Sequence, residues 1–136
     1  MIMKTIVTIF TFSAMLCLFA SCYSNSIYFD IEKQSVVRCK GTISKLYIIS
    51  KDNKDYLCFL ILSNKKGKVS FSVKELDKDY SINVINTLIN IQKFKLRPEM
   101  EYEIINYSSG DTPHGKLTIK TDKNSSVVYA DKTSCE

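Results

Sequence analysis

The stretch KLYIISKDNKDYLCFLILS (Lys45–Ser63) decides how the rest of the chain is read. Two runs, Lys45–Ser50 and Asp55–Ser63, are rich in Ile, Leu, Tyr and Phe, side chains that suit a pleated, half-buried surface. Between them Lys51-Asp52-Asn53-Lys54 makes a polar four-residue turn. The second run is apolar on both alternations, as expected of a central strand covered on both faces. Downstream, Asn64–Gly67 makes a further turn. Lys68–Val73 then alternates, putting Val69, Phe71 and Val73 on one face and Lys65, Lys66 and Lys68 around a hairpin tip at Gly67. Upstream, Ser26–Lys33 and Ser35–Cys39 read as one interrupted or two short opening strands. Gly115–Lys120 and Ser126–Ala130 close the domain. Val73–Gln92 is mixed: Lys74–Tyr80 has the look of a short helical turn. Ile82, Ile85, Leu88 and Ile89 fall near helical spacing behind Ser81 as a cap. The β-branched content of Ser81–Gln92 nevertheless favours a strand over Val84–Ile91.

A second segment, Leu96-Arg97-Pro98-Glu99-Met100-Glu101-Tyr102, selects among all-β folds. The segment resembles the Leu-x-Pro-x-x-x-Tyr lead into the penultimate strand of fibronectin type III and related immunoglobulin-like sandwiches. The resemblance implies a tyrosine corner, in which Pro98 fixes a backbone turn and Tyr102 turns its ring inward with its hydroxyl returning to nearby backbone. Leu96, Pro98 and Tyr102 are its matching positions. Glu99 stands where Gly is frequent, and the chain has no Trp, so the buried Trp of immunoglobulin domains is absent. The resemblance implies an immunoglobulin/fibronectin III-like β-sandwich. The alternative is a Pro turn before an unrelated strand, in a small barrel.

Met1–Ser21 differs from everything after it. It has one charged residue, Lys4, and an apolar run from Thr5 to Ala20, the pattern of a secretory signal too short for a spanning helix. Leu18-Phe19-Ala20-Ser21-Cys22 resembles the lipobox of bacterial lipoproteins, in which a signal peptidase cuts before the Cys and the thiol receives a diacylglycerol. The departure is Phe19, where Leu is most frequent. The resemblance implies cleavage between Ser21 and Cys22 and lipidation of Cys22. The absence of Asp after Cys22 is compatible with sorting to the outer membrane. A soluble secreted protein cut nearby and a retained signal-anchor are the alternatives. The expected organisation is a signal peptide over 1–21, a tether over 22–30 and one β-sandwich domain over 31–136.

If Cys22 is lipidated, Cys39, Cys58 and Cys135 remain, an odd number, and an exported chain is expected to close one bridge among them. Cys58 lies within an apolar run and suits a buried thiol. That leaves Cys39 with Cys135, while Cys39 with Cys58 is the rival pairing.

The chemistry-bearing residues are sparse. The formal charge of +5 falls to +4 once Lys4 is removed, and no block of five like charges supports nucleic-acid binding. One His, no Cys-x-x-Cys and no glycine-rich phosphate loop argue against a metal or nucleotide cofactor, and none is expected. His114 sits in the loop Ser108–Gly115 beside Asp111, where turn chemistry explains the composition better than a catalytic triad. The pairs Glu99/Glu101 and Asp77/Asp79 read as solvated strand and turn residues rather than a glycosidase pair. Tyr23, Tyr28, Tyr47, Tyr80, Tyr107 and Tyr129 exceed what a small core absorbs and are candidates for protein contact, or for amphipathic strand positions.

Taken together, Leu18–Cys22, Cys39 followed by Lys45–Ser50, and Leu96–Tyr102 resemble a family of small bacterial lipoproteins, the type VI secretion system immunity periplasmic lipoproteins. The resemblance is diffuse over most of the chain and transfers no binding residue. It implies a non-catalytic module, lipid-anchored in the cell envelope, whose partner is a protein toxin delivered by a neighbouring cell. A structural or accessory lipoprotein of an envelope assembly, and a soluble disulfide-bonded β domain, are the other expectations.

Overall fold

A computed structural model describes residues 25–108 and 115–135. Among them the regular structure is nine strands: β1 (Ile27–Asp30), β2 (Ser35–Arg38), β3 (Lys45–Ser50), β4 (Tyr56–Ile61), β5 (Ser70–Ser72), β6 (Tyr80–Asn86), β7 (Glu101–Asn106), β8 (Gly115–Thr121) and β9 (Val127–Ala130). They form two antiparallel sheets, β1-β2-β5 and β6-β4-β3-β7-β8-β9. The first, second and fifth strands on one sheet, with β3, β7 and β8 adjacent on the other, follow the immunoglobulin arrangement, to which β6 and β9 add the two edges of the larger sheet.

The core between the sheets is built by alternation. Ile27 and Phe29 of β1, Val36 of β2, Leu46 and Ile48 of β3, Leu57 and Phe59 of β4, Phe71 of β5, Tyr102 and Ile104 of β7 and Leu117 and Ile119 of β8 are all buried. Phe59 lies at its centre, with ring centroids 4.9 Å from Phe71 and 5.3 Å from Phe94. At the start of β8, a Cβ on Gly115 would sit 1.8 Å from the Asn25 carbonyl oxygen, so only glycine lets the leading end of the domain lie against that strand.

Several expectations are corrected. The domain does not begin at residue 31: β1 lies within the stretch 22–30 assigned to a tether, and its Ile27 and Phe29 side chains are core. Asn64–Gly67 is not a hairpin tip, because β5 pairs with β2 on the opposite sheet while β4 pairs with β6. The connection therefore crosses between sheets, and Val69 is exposed while Phe71 and Val73 are buried. Lys74–Asp79 is not helical; the Ser72 hydroxyl accepts from the Lys74 and Glu75 N–H groups and the Asp77 carboxylate from Asp79 N–H, holding irregular turns. The strand expected over Val84–Ile91 runs instead over Tyr80–Asn86, and from Thr87 the chain leaves the sheet to insert Ile89, Phe94 and Leu96 into the core. Tyr80 is not a surface tyrosine: it is buried, and its hydroxyl donates to the Ile43 carbonyl at 2.6 Å and accepts from Lys68 N–H at 3.1 Å.

The sandwich has two distinguishable poles. At one lie Asn25, the β2–β3 connection, the β4–β5 crossing and the C-terminal tail, tied by a Cys39–Cys135 disulfide with Cα atoms 5.6 Å apart. Cys58 is a buried free thiol. At the other lie the turns 31–34, 51–55 and 122–126 and the long connection 87–100. There Gln34 joins the sheets, its amide donating to the Val127 carbonyl at 2.9 Å and accepting from Val127 N–H at 2.7 Å. Strands of six residues set the poles about 20 Å apart.

Candidate functional site

Ser21, Cys22, Tyr23, Asp111 and His114 lie outside the described residues. Leu96, Pro98 and Tyr102 come together at the pole remote from Asn25. Tyr102 is fully buried and its hydroxyl accepts from Arg97 N–H at 2.8 Å, five residues upstream. Burial pushes its phenol up to about 12. Glu99 adopts φ +51, the left-handed conformation glycine takes without strain, and its N–H donates to the Asp122 carbonyl at 3.0 Å. The turn keeps its shape with a glutamate at that position.

Around this corner is a polar cluster that sequence reasoning did not single out. Asp55, the last residue of the turn before β4, is fully buried. One carboxylate oxygen accepts from Arg97 Nε at 2.6 Å. The other accepts from Leu88 N–H at 2.7 Å, the Thr87 hydroxyl at 3.0 Å and Ile89 N–H at 3.2 Å. Arg97 Nη2 also donates to Asp52 at 2.7 Å, and the Ser50 hydroxyl donates to the same Asp52 oxygen at 2.6 Å while accepting from Asp55 N–H. The hydrogen bonds from Arg97 and then Ser50 hold the Asp52 carboxyl well below the usual carboxylate range, and those to Asp52 and Asp55 push Arg97 higher still. The Arg97 carbonyl accepts from the Thr121 hydroxyl at 2.7 Å, fastening the cluster to β8. No signal in the sequence marks Asp55 as buried, because its partners lie 32–42 residues away.

The cluster anchors a loop that carries apolar and cationic side chains on its outside. Leu88 remains 61% exposed although its own amide is anchored on Asp55. Six residues on, Phe94 is buried in the core at φ +34, with its N–H donating to the Asn90 carbonyl at 2.8 Å. A bulky residue in that conformation costs about 1–3 kcal/mol, and the buried ring, edge-on to Phe59, offsets it. With Phe94 turned in, Lys93 and Lys95 on either side are exposed. Lys123 approaches from the β8–β9 turn, where Asp122 accepts from Asn124 and Ser126 N–H at 2.8 and 3.0 Å. Leu88, Lys93, Lys95, Leu96, Pro98 and Lys123 line a shallow groove of about 350 Å³ whose lining contains no carboxylate.

The remaining predicted groups are dispersed. Asp77 and Asp79 both pair with Lys68, Asp79 at 3.5 Å, and Glu101 pairs with Lys51 at 3.5 Å. Tyr47 sits edge-on to both Tyr56 and Tyr107, with ring centroids 5.9 and 5.0 Å away, on the outer face of the larger sheet. Tyr28 is half-buried and Tyr129 exposed. Among the described residues no group of three or more His, Cys, Asp or Glu could hold a metal ion.

Comparison with protein-family models, with curated proteins and with solved structures finds no match in any of the three. At the level the fold defines, the chain is an all-β, two-sheet sandwich closed by a disulfide between its second-strand connection and its tail.

Proposed function

We propose that this chain is a non-catalytic protein-binding lipoprotein of the bacterial envelope, an immunity protein that neutralises a toxin delivered by type VI secretion on the periplasmic side. The observation that carries the reading is the opposition of the two poles. Cys22 precedes Asn25 by three residues, a reach of at most about 11 Å. A lipid on Cys22 therefore keeps the disulfide pole at the outer membrane and turns the Leu88–Pro98 loop pole toward the periplasm. The disulfide suits an oxidising compartment.

Binding rather than turnover is favoured by how the polar cluster is used. Ser50, Asp52, Asp55 and Arg97 direct their hydrogen bonds at one another and at backbone, so they brace the loop that presents Leu88. Tethering confines the module to a thin layer and raises its effective concentration against an incoming toxin.

The test is co-purification from envelopes, with and without the product of the adjacent gene, combined with labelling by a lipid precursor. We expect a labelled membrane-associated chain that retains the toxin, and a Cys22→Ser variant that is unlabelled and soluble. An unlabelled, freely soluble wild-type product ends the lipoprotein reading, and failure to retain the toxin ends the immunity reading.

A further inference from the structure

We infer that the groove between the Leu88–Pro98 loop and the β8–β9 turn binds an acidic segment of a protein partner, with one apolar side chain of that segment seated against Leu88 and Pro98. The inference rests on the binding-module reading and names the chemistry of the partner.

Charge is the first support. Lys93, Lys95 and Lys123 converge on the groove from two separate loops, and none of them enters an ion pair among the described residues. No carboxylate lines the groove. Asp52 and Asp55 are bound to Arg97, Asp122 accepts from its own turn, and Glu99 flanks the groove without lining it. Cationic side chains gathered on a concave lining attract and orient an oppositely charged segment.

Preorganisation is the second. An exposed leucine is ordinary on a surface, but this one is held by a backbone bond to a fully buried carboxylate, and its loop is plugged into the core by Ile89, Phe94 and Leu96. An apolar side chain on a backbone anchored in this way has less conformational entropy to lose on binding. Position is the third: the groove is at the pole remote from Asn25, so under the lipid-anchored reading it faces away from the membrane. That favours a protein over anionic lipid as the occupant.

The experiment uses the protein as isolated from cells, in detergent. The probe is a short synthetic peptide of Asp and Glu around a central Leu, alongside a control in which every acid is replaced by its amide. Binding is followed by calorimetry and by amide chemical shifts at low and at raised salt. We expect the acidic peptide to bind, weakening with salt, and to perturb residues 88–98 and 123–125. Lys93→Glu/Lys95→Glu/Lys123→Glu should weaken it by about tenfold or more. Leu88→Asn should weaken it with the salt dependence retained, while Lys65→Glu/Lys66→Glu, at the other pole, should leave it unchanged. Equal binding by the triple variant, equal binding of the amide peptide, shifts confined to another face, or displacement of the peptide by anionic vesicles or RNA would each overturn the inference. The two readings fail separately. A toxin retained equally by wild type and the triple variant removes the groove and leaves the binding module, whereas acidic-peptide binding without toxin retention leaves the groove and removes the immunity role.

Discussion

Replacing Asp55 tests the organisation of the loop pole most directly. Its carboxylate is fully buried and accepts four hydrogen bonds, from Arg97, Leu88, Thr87 and Ile89 at 2.6–3.2 Å. In Asp55→Ala the Arg97 guanidinium keeps Asp52 as a partner, but the Leu88 and Ile89 amides lose their carboxylate acceptor. Breaking a buried pair by removing one member costs about 3–5 kcal/mol. The Arg97 side chain is still about one-fifth exposed, which places the expected loss near the lower end, about 3 kcal/mol. At roughly 4–6 °C per kcal/mol for a domain of this size, melting should fall by about 12–18 °C. Asp55→Asn, which keeps one oxygen for Leu88 but turns an amide toward Arg97, should lose somewhat less, about 2 kcal/mol. The assay is urea unfolding with the denaturant slope compared between variants, together with hydrogen exchange at the Leu88 and Ile89 amides. A loss below about 1 kcal/mol for Asp55→Ala, with exchange at those two amides unchanged, would refute the claim that this carboxylate braces the loop.

Tyr102→Phe removes the acceptor of Arg97 N–H and should cost about 1–3 kcal/mol in the same unfolding assay, whereas Tyr129→Phe, at an exposed ring, should change stability by less than about 0.5 kcal/mol. Reduction, or Cys39→Ser with Cys135→Ser, opens a bridge between residues 96 positions apart. The chain-entropy treatment then gives a loss of about 4–5 kcal/mol, and a urea midpoint unmoved by reductant would contradict it. Cys58 should resist alkylation until denaturant is added, since its thiol is buried. Acid should unfold the protein in a way that depends on Asp52 and Asp77, whose pKa values are lower folded than unfolded through their bonds to Arg97 and Lys68. The sign follows from linkage: their contribution is complete above the unfolded value of about 4 and is lost as pH falls below it. Asp52→Asn should therefore flatten the acid limb of the midpoint-against-pH curve. An unchanged limb would show that Asp52 carries none of it.

Parts of the fold were legible because they are local. Alternation in Lys45–Ser50 and apolar composition in Tyr56–Ile61 mark two strands whatever surrounds them, and the polar turn between them leaves antiparallel pairing as the short route back. The strand at Tyr80–Asn86 was displaced from its expected place for a physical reason. Ile89, Phe94 and Leu96 satisfy their hydrophobicity in the core from an irregular loop, where periodicity carries no information. Tyr80 reads as one more surface tyrosine, but the β2–β3 connection and the crossing β4–β5 connection bring Ile43 and Lys68 to its hydroxyl.

By itself, then, the sequence determined the all-β class, the turn at Pro98 with its inward tyrosine, and which cysteine belongs to an apolar strand, since each depends on neighbours within a few residues. Only the tertiary structure decided that β5 leaves β4 for the opposite sheet, that Gln34 joins β9, that Cys39 meets Cys135, and that Asp55 is buried under Arg97 and the Leu88 loop. It also brought Lys93, Lys95 and Lys123 to one groove. These are pairings across tens of residues, selected by the joint closure of two sheets around one core, and no local preference of the chain encodes which distant partner will complete them.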